Sequence, residues 1–332
     1  MNKSGVILRS VGEKSVRDIV REMFEFMNYE AMIPQDSKVV IKVNLSTPFK
    51  DMAYASNTSP DILDAVLSVL KERTGRIHVG ESDGMRYKTE DAFEASGYYP
   101  IIDKHGAKPI SFTRDEWVDT GHELIKGWGL SKTLVEADVF ITLPVLKTHA
   151  TTVFTGALKN QFGCYPQHNR ILLHPKLSEV IVLINSILKP KLAIMDALTA
   201  MEGRGPINGR PRELGVIIGS ADPVALDATA MRLVGLDPYT SRPVVLASEQ
   251  GLGQIDASHI DIAGDFEAHR VDFEPAEQDL PIKLLAVISR SRFLTEKLLL
   301  NPESFYPLRS AAMLFREVRD FVLGLLRLRK AS

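Results

Sequence analysis

Apolar and polar positions alternate between two periods along most of the chain. "GVILR" at Gly5–Arg9 is a short β-branched run and reads as a strand. Lys14–Tyr29 then carries Val16, Ile19, Val20, Met23, Phe24 and Met27 at helical spacing, which predicts an amphipathic helix. "KVVIKVN" (Lys38–Asn44) is a second strand. "SPDILDAVLSVLKER" is a second helix, with Ser59 as N-cap and Pro60 at its first position. "RIHVGES", "DVFITLP", "KLAIMDAL" and "LGVIIGS" are further strands, and "DPVALDATAMRLVG" is a helix capped by Asp222 and stopped by Gly235. Apolar strands alternating with helices predict an α/β fold, a mostly parallel sheet with helices on both faces.

The pattern changes at Pro275–Pro281. Beyond it lie two basic amphipathic helices, "IKLLAVISRSRFLTEKLLL" and "FYPLRSAAMLFREVRDFVLGLLRLRK". Residues 1–280 are expected to form the α/β domain. Residues 281–332 are expected to form a helical tail that packs on the body, binds a protein partner or lies on an anionic membrane surface.

Charge sharpens this division. The tail carries ten Lys/Arg against four Asp/Glu, or +6, which leaves 30 against 38, or −8, on the first 280 residues. The whole chain, at −2, gives no reason to expect a nucleic-acid partner. The single cysteine, Cys164, excludes an internal disulfide, a Cys-ligated iron–sulfur cluster and a four-cysteine zinc site. A reducing cytoplasm is the expected location, with membrane association through the tail. "MNKSGVILRS" has no signal-peptide core. No apolar run is read as reaching the roughly eighteen residues a spanning helix needs.

In open α/β sheets, ligands bind beyond the carboxyl ends of the strands. The segments there carry the candidate chemistry. "LPVLKTHATTVFTGALKNQFG" places Lys147 and His149 two apart on an extended segment, with Thr148 between them. Lys159 and Asn160 follow at the start of a helix whose first N–H groups would suit an anion. Lys147 and Lys159 would hold a small carboxylate or phosphate, Asn160 would orient it, and His149 would be an acid–base group. Lys42 and Asn44 share one face of an otherwise apolar strand, and a buried lysine needs a partner such as a strand-end carboxylate. Glu81 and Asp83 in "GESDG" would bind a cation, accept a proton or cap a turn. Three of the eight histidines, His149, His168 and His174, fall within 26 residues, so a divalent metal held by His174 with Glu81 and Asp83 is an alternative. "MDALTAMEGRGPINGRP" reads as a rigid glycine-rich loop over the pocket, carrying Asp196 and Glu202. Asp222 reads as a helix cap. Asp227, one turn further in, faces the site or a lysine.

"VVIKVNLS", "VGESDG", "ADVFITLPVLKTH", "GALKNQFGCYP", "MDALTAMEGRGPINGRP" and "GSADPVALDATAMRLVGLDP" occur in an order that resembles the family catalogued as domain of unknown function 362. The resemblance covers about Lys38 to Gly264. Many members also carry ferredoxin-like iron–sulfur segments, for which this chain lacks the cysteines. The resemblance implies a fold and a pocket, not a reaction. A narrower likeness is to the lactate racemase family, in which the lysine of a Gly-Ala-Lys segment carries a nickel pincer cofactor and a later histidine ligates the nickel. His149, "GALK" with Lys159, and His174 are similarly arranged, with Leu158 inserted. That likeness implies a lysine-linked cofactor and proton or hydride transfer at carbon. The activity expected is therefore that of an enzyme on a small anionic metabolite. The alternative is a non-catalytic ligand-binding or assembly protein docked through its tail.

Overall fold

The computed structural model describes residues 3–12 and 14–331. Its strands are β1 (Ser4–Ser10), β2 (Val39–Val43), β3 (Ile77–Glu81), β4 (Lys108–Ser111), β5 (Trp117–Asp119), β6 (Gly129–Ser131), β7 (Val139–Leu143), β8 (Val145–His149), β9 (Val153–Thr155), β10 (Leu192–Glu202), β11 (Arg210–Ser220) and β12 (Ile260–Ala263). The main sheet runs β12-β1-β11-β10-β7-β2-β3-β4, with β8 beside β10, β9 beside β8, and β5–β6 as a separate ribbon. The half from β10 to β4 is wholly parallel. β11 runs antiparallel to both β10 and β1. The protein is thus an α/β fold with a mixed, mostly parallel sheet.

Period-two alternation assigns the faces. Val39, Ile41 and Val43 of β2 join Val79, Ile141, Ile194 and Ile217 in one apolar cluster. Helices Val16–Phe26 and Pro60–Leu70 close that cluster with Ile19, Val20, Met23, Phe24, Ile62, Leu63 and Val66. Ser15 and Ser59 cap these helices, and Pro60 opens the second. Lys42 points to the opposite face, where helix Pro223–Leu233 is buried along nearly all of its length and helix Leu177–Leu188 along half of it.

Two expectations are corrected. The segment after "KLAIMDAL" is not a loop. β10 continues to Glu202 and returns as β11, so only residues 203–209 turn. Gly205 packs so closely on β8 that a Cβ there would stand 2.0 Å from Thr148 O, which is why this turn needs glycine. By length and composition, Arg170–Leu188 would also suffice to cross a membrane. Within it, Leu177–Leu188 behaves as a core helix, burying Leu177, Val180, Ile181, Val182, Ile184 and Asn185.

The chain divides into two units. One comprises the described residues up to His168 with Lys176–Glu277; the other comprises Asn169–Pro175 with the described residues from Gln278. In the second unit, Asp279 caps helix Leu280–Ser289 and pairs with Arg316 of helix Pro302–Ala331, Nε to Oδ2 at 2.6 Å.

Candidate functional site

Strand β2 ends in Lys42–Val43 and is followed by Asn44, β3 ends in Glu81, and β7 passes through Pro144 into β8, which carries Lys147. All three parallel strands deliver polar side chains to the same end of the sheet. Lys42 Nζ pairs with the Glu81 carboxylate and donates to Val43 O (2.7 Å) and Asn160 Oδ1 (3.2 Å). Asn44 Nδ2 donates to the same Asn160 oxygen at 3.1 Å, while its own Oδ1 accepts from Lys147 Nζ at 2.6 Å. Lys147 Nζ also reaches Ser46 Oγ (2.9 Å) and Ser56 O (2.7 Å). Asn160 Nδ2 donates to Thr142 Oγ1 at 2.9 Å. Lys42 is 1% exposed and Lys147 fully buried, so each ammonium replaces water with three protein oxygens.

Five expected site residues, Lys42, Asn44, Glu81, Lys147 and Asn160, therefore meet in one network. Ser46, Ser56 and Thr142 belong to it and were not singled out from sequence. Thr142 carried a signal: it is a hydroxyl inside "FITL" and lies in register with Lys42. Gly163 explains the glycine of "KNQFG". A Cβ there would stand 2.6 Å from Glu81 Oε1 and 3.1 Å from Lys42 Nζ.

Burial pushes the Lys147 ammonium down to about 7, helped by Lys159 and Lys42 and opposed by Asp196. Burial pushes Asp196 the other way, up to about 6, although its carboxylate accepts from Ser59 N (2.6 Å) and Leu198 N (3.0 Å). Asp196 lines a cavity of about 400 Å3, together with Lys50, Tyr54, Asn57, Asp61 and Thr199. The cavity lies beside the N-terminus of the eleven-residue helix Pro60–Leu70.

Other expected residues have different duties. His149 Nδ1 accepts from Thr151 N (3.0 Å) and Thr152 N (3.2 Å), which places the ring proton on Nε2 and makes that nitrogen a donor rather than a base or metal ligand. It holds the β8–β9 hairpin, where Val153 adopts φ +67°, a strained conformation for a β-branched residue. Thr148 Oγ1 donates to Gly203 O at 2.9 Å, fastening the β10–β11 turn to β8. Lys159 is half-buried, with its ammonium 5.2 Å from the centre of the Phe162 ring. The helix bearing it is one turn, Ala157–Asn160, and its first N–H groups already donate to Asp227, Ala157 N to Oδ1 (2.6 Å) and Leu158 N to Oδ2 (3.0 Å). That corrects the expectation of an anion at this helix start. Burial pushes Asp227 up to about 7 against those two bonds.

Asp83 receives Arg114 through both oxygens (2.9 and 3.1 Å) and Thr89 N (2.9 Å); these outweigh burial and hold its carboxyl below the usual range. Glu202 is clamped by Arg210 and Arg212 across the hairpin and by Glu274 N. Asp222 caps Pro223–Leu233 and accepts from Ser4 Oγ and Gln254 N. His174 belongs to the second unit. Among the described residues no three His, Cys, Asp or Glu side chains form a metal-ligating group. Of the expected metal set, the carboxylates of Glu81 and Asp83 are committed to Lys42 and Arg114.

These features define an α/β body with a lysine–carboxylate–asparagine floor at the carboxyl ends of parallel strands. The model for the domain of unknown function DUF362 matches residues 39–232, and the chain belongs to that family. It is similar to a thylakoid-associated protein of Synechocystis sp., 29% identical over 263 residues that cover 75% of this chain and 80% of the relative. Among solved structures it is similar to a structural-genomics protein from Thermotoga maritima (13% identity, TM-score 0.38, 70% of this chain and 59% of that one). It is also similar to the lactate racemase apoprotein from Thermoanaerobacterium thermosaccharolyticum (14% identity, TM-score 0.43, 65% and 54%). The chain thus spans less than two thirds of either solved chain.

Proposed function

We propose that the body is an enzyme that moves a proton at a carbon of a small anionic metabolite, held in the cavity that Asp196 lines. The observation that carries this reading is that Asp196, a buried carboxyl pushed up to about 6, lines a cavity, with the buried Lys147, pushed down to about 7, among the charges that act on it. The Asp196 carboxylate takes the proton as the C–H bond breaks, and the electron pair delocalises into the substrate's neighbouring carboxylate. Lys50 and the start of helix Pro60–Leu70 meet the anion's charge. Lys147, protonated below about pH 7, lends positive charge to Asp196, and Lys159 tunes it electrostatically. His149 shapes the hairpin that carries Lys147. This chemistry uses neither a metal nor a group on Lys159.

Lactate, malate and 3-phosphoglycerate, each incubated with the full chain in D2O, test it by thermal shift and by loss of the carbon-bound proton signal in NMR. One of them should raise the melting temperature and exchange. Asp196→Asn should keep the thermal shift and slow exchange by roughly 100-fold or more, while Lys50→Ala should lose the shift. The reading is overturned if no compound shifts or exchanges, or if Asp196→Asn exchanges like wild type.

A second reading, a non-catalytic ligand-binding or assembly protein, is favoured by one observation: Lys42 and Lys147 each already have three oxygen acceptors. A thermal shift without exchange would select it. For either reading the proposed location is the cytoplasmic face of a membrane, supported by the description of the Synechocystis relative as thylakoid-associated.

A further inference from the structure

The outward faces of the second unit are apolar where a water-facing helix would be polar. In helix Pro302–Ala331, Phe305, Leu308, Ala312, Phe315 and Arg316 line a groove shared with helix Leu280–Ser289. On a helical wheel that is one side of the helix. Leu314, Val318, Phe321 and Val322 fall on another, at the i, i+4, i+7, i+8 spacing of a single stripe. They are nonetheless 61%, 55%, 68% and 46% exposed. On helix Leu280–Ser289, Leu280 and Leu284 line the same groove as the buried Ile288, although 62% and 48% exposed, and Val287, outside that lining, is 58% exposed. Phe293 adds a ring that is 65% exposed. In sequence, residues 281–332 carry ten Lys/Arg against four Asp/Glu.

We propose that the second unit is a docking surface for an anionic lipid bilayer, with the Leu314–Val318–Phe321 stripe, joined by Val287 and Phe293, inserted at the headgroup boundary and the surrounding Lys and Arg on lipid phosphates. Charge decides the occupant. A second copy would bring a second +6 against the first, whereas an anionic bilayer accepts both the apolar stripe and the cations around it. The −8 of the first 280 residues disfavours lipid contact there, which confines attachment to this unit. The proposal deepens the membrane-face location put forward above and rests on it, but not on the chemistry of the body.

Co-sedimentation of the full chain with vesicles tests it. One set is phosphatidylcholine alone and the other is phosphatidylcholine mixed with phosphatidylglycerol. The chain should pellet with the mixed vesicles, stay largely in solution with the neutral ones, and be partly released by high salt. Leu314→Glu with Phe321→Glu, both at exposed positions, should lower the bound fraction roughly tenfold or more, with the circular dichroism spectrum and melting of the body unchanged. A chain that pellets with neither vesicle overturns both the location and the surface. A chain that pellets with mixed vesicles regardless of the two glutamates leaves the location standing and overturns this surface. A dimer in light scattering that the glutamates dissolve, without vesicle binding, assigns the stripe to a second copy and also overturns it.

Discussion

Replacing Glu81 by glutamine removes one charge from the buried pair and one of the two acceptor oxygens it offers to backbone N–H groups. Lys42 is 1% exposed and Glu81 3%. In the Glu81→Gln variant the one amide oxygen can accept on the side of Leu45 N or on the side of Ser82 N, which the wild-type Oε2 and Oε1 serve separately, so the other N–H group faces the new NH2. Lys42 would keep two neutral acceptors, Val43 O and Asn160 Oδ1, and lose its counter-charge. Leaving one member of a buried pair uncompensated costs about 3–5 kcal/mol, and the retained acceptors argue for about 3. For a unit of this size that is a fall in melting temperature of about 6–12 °C. Lys42→Met combined with Glu81→Gln removes both charges, so the double variant should melt above the Glu81→Gln single, although the second substitution alone would destabilise. Thermal melts of the wild type, both singles and the double form the cycle. A Glu81→Gln protein melting within about 2 °C of wild type, or a double variant that simply sums the singles, would refute the account of the floor.

Lys147→Met should change how stability depends on pH. The unfolded lysine titrates near 10.5 and the folded one near 7, so between those values the unfolded chain binds the extra proton. Wild-type stability relative to Lys147→Met should therefore rise from about pH 7 to about 10.5, by roughly a few kcal/mol, and be level outside that window; a difference independent of pH in urea titrations would refute it. Gly163→Ala should cost roughly 1–3 kcal/mol, because the new methyl group displaces the Glu81–Lys42 pair; a neutral effect in the same melts would contradict the close approach.

Much of the frame was legible because local chemistry and tertiary demand agree. Ser59–Pro60 and Asp222–Pro223 open their helices, and the β-branched runs of β2, β3 and β7 are the buried parallel strands. Lys42 betrayed itself as a charge inside such a run. What was not legible depends on partners distant in sequence. The glycines of "EGRGPINGRP" suggested a loop, but the flanking residues pair as a hairpin whose turn rests on Thr148. Asp227 looked available to the site until helix Pro223–Leu233 placed it over the amides of Ala157 and Leu158. His149 has the composition of a catalytic group, and only the fold of the next three residues shows its Nδ1 occupied. Asp196 lay within a recognised segment, but its cavity is formed by a helix more than a hundred residues earlier.

The alternation that aims Lys42 away from Ile41 and Val43 also governs how the strands can be threaded together. Val39–Val43 is apolar apart from this lysine, and such strands give little to choose between neighbouring alignments. Sliding β2 by one residue against β7 would turn the ammonium into the oily side of the sheet and strand Glu81 without a cation. The charged floor therefore works as a key cut to one alignment, rejecting mis-paired sheets during assembly whatever it later does for a ligand.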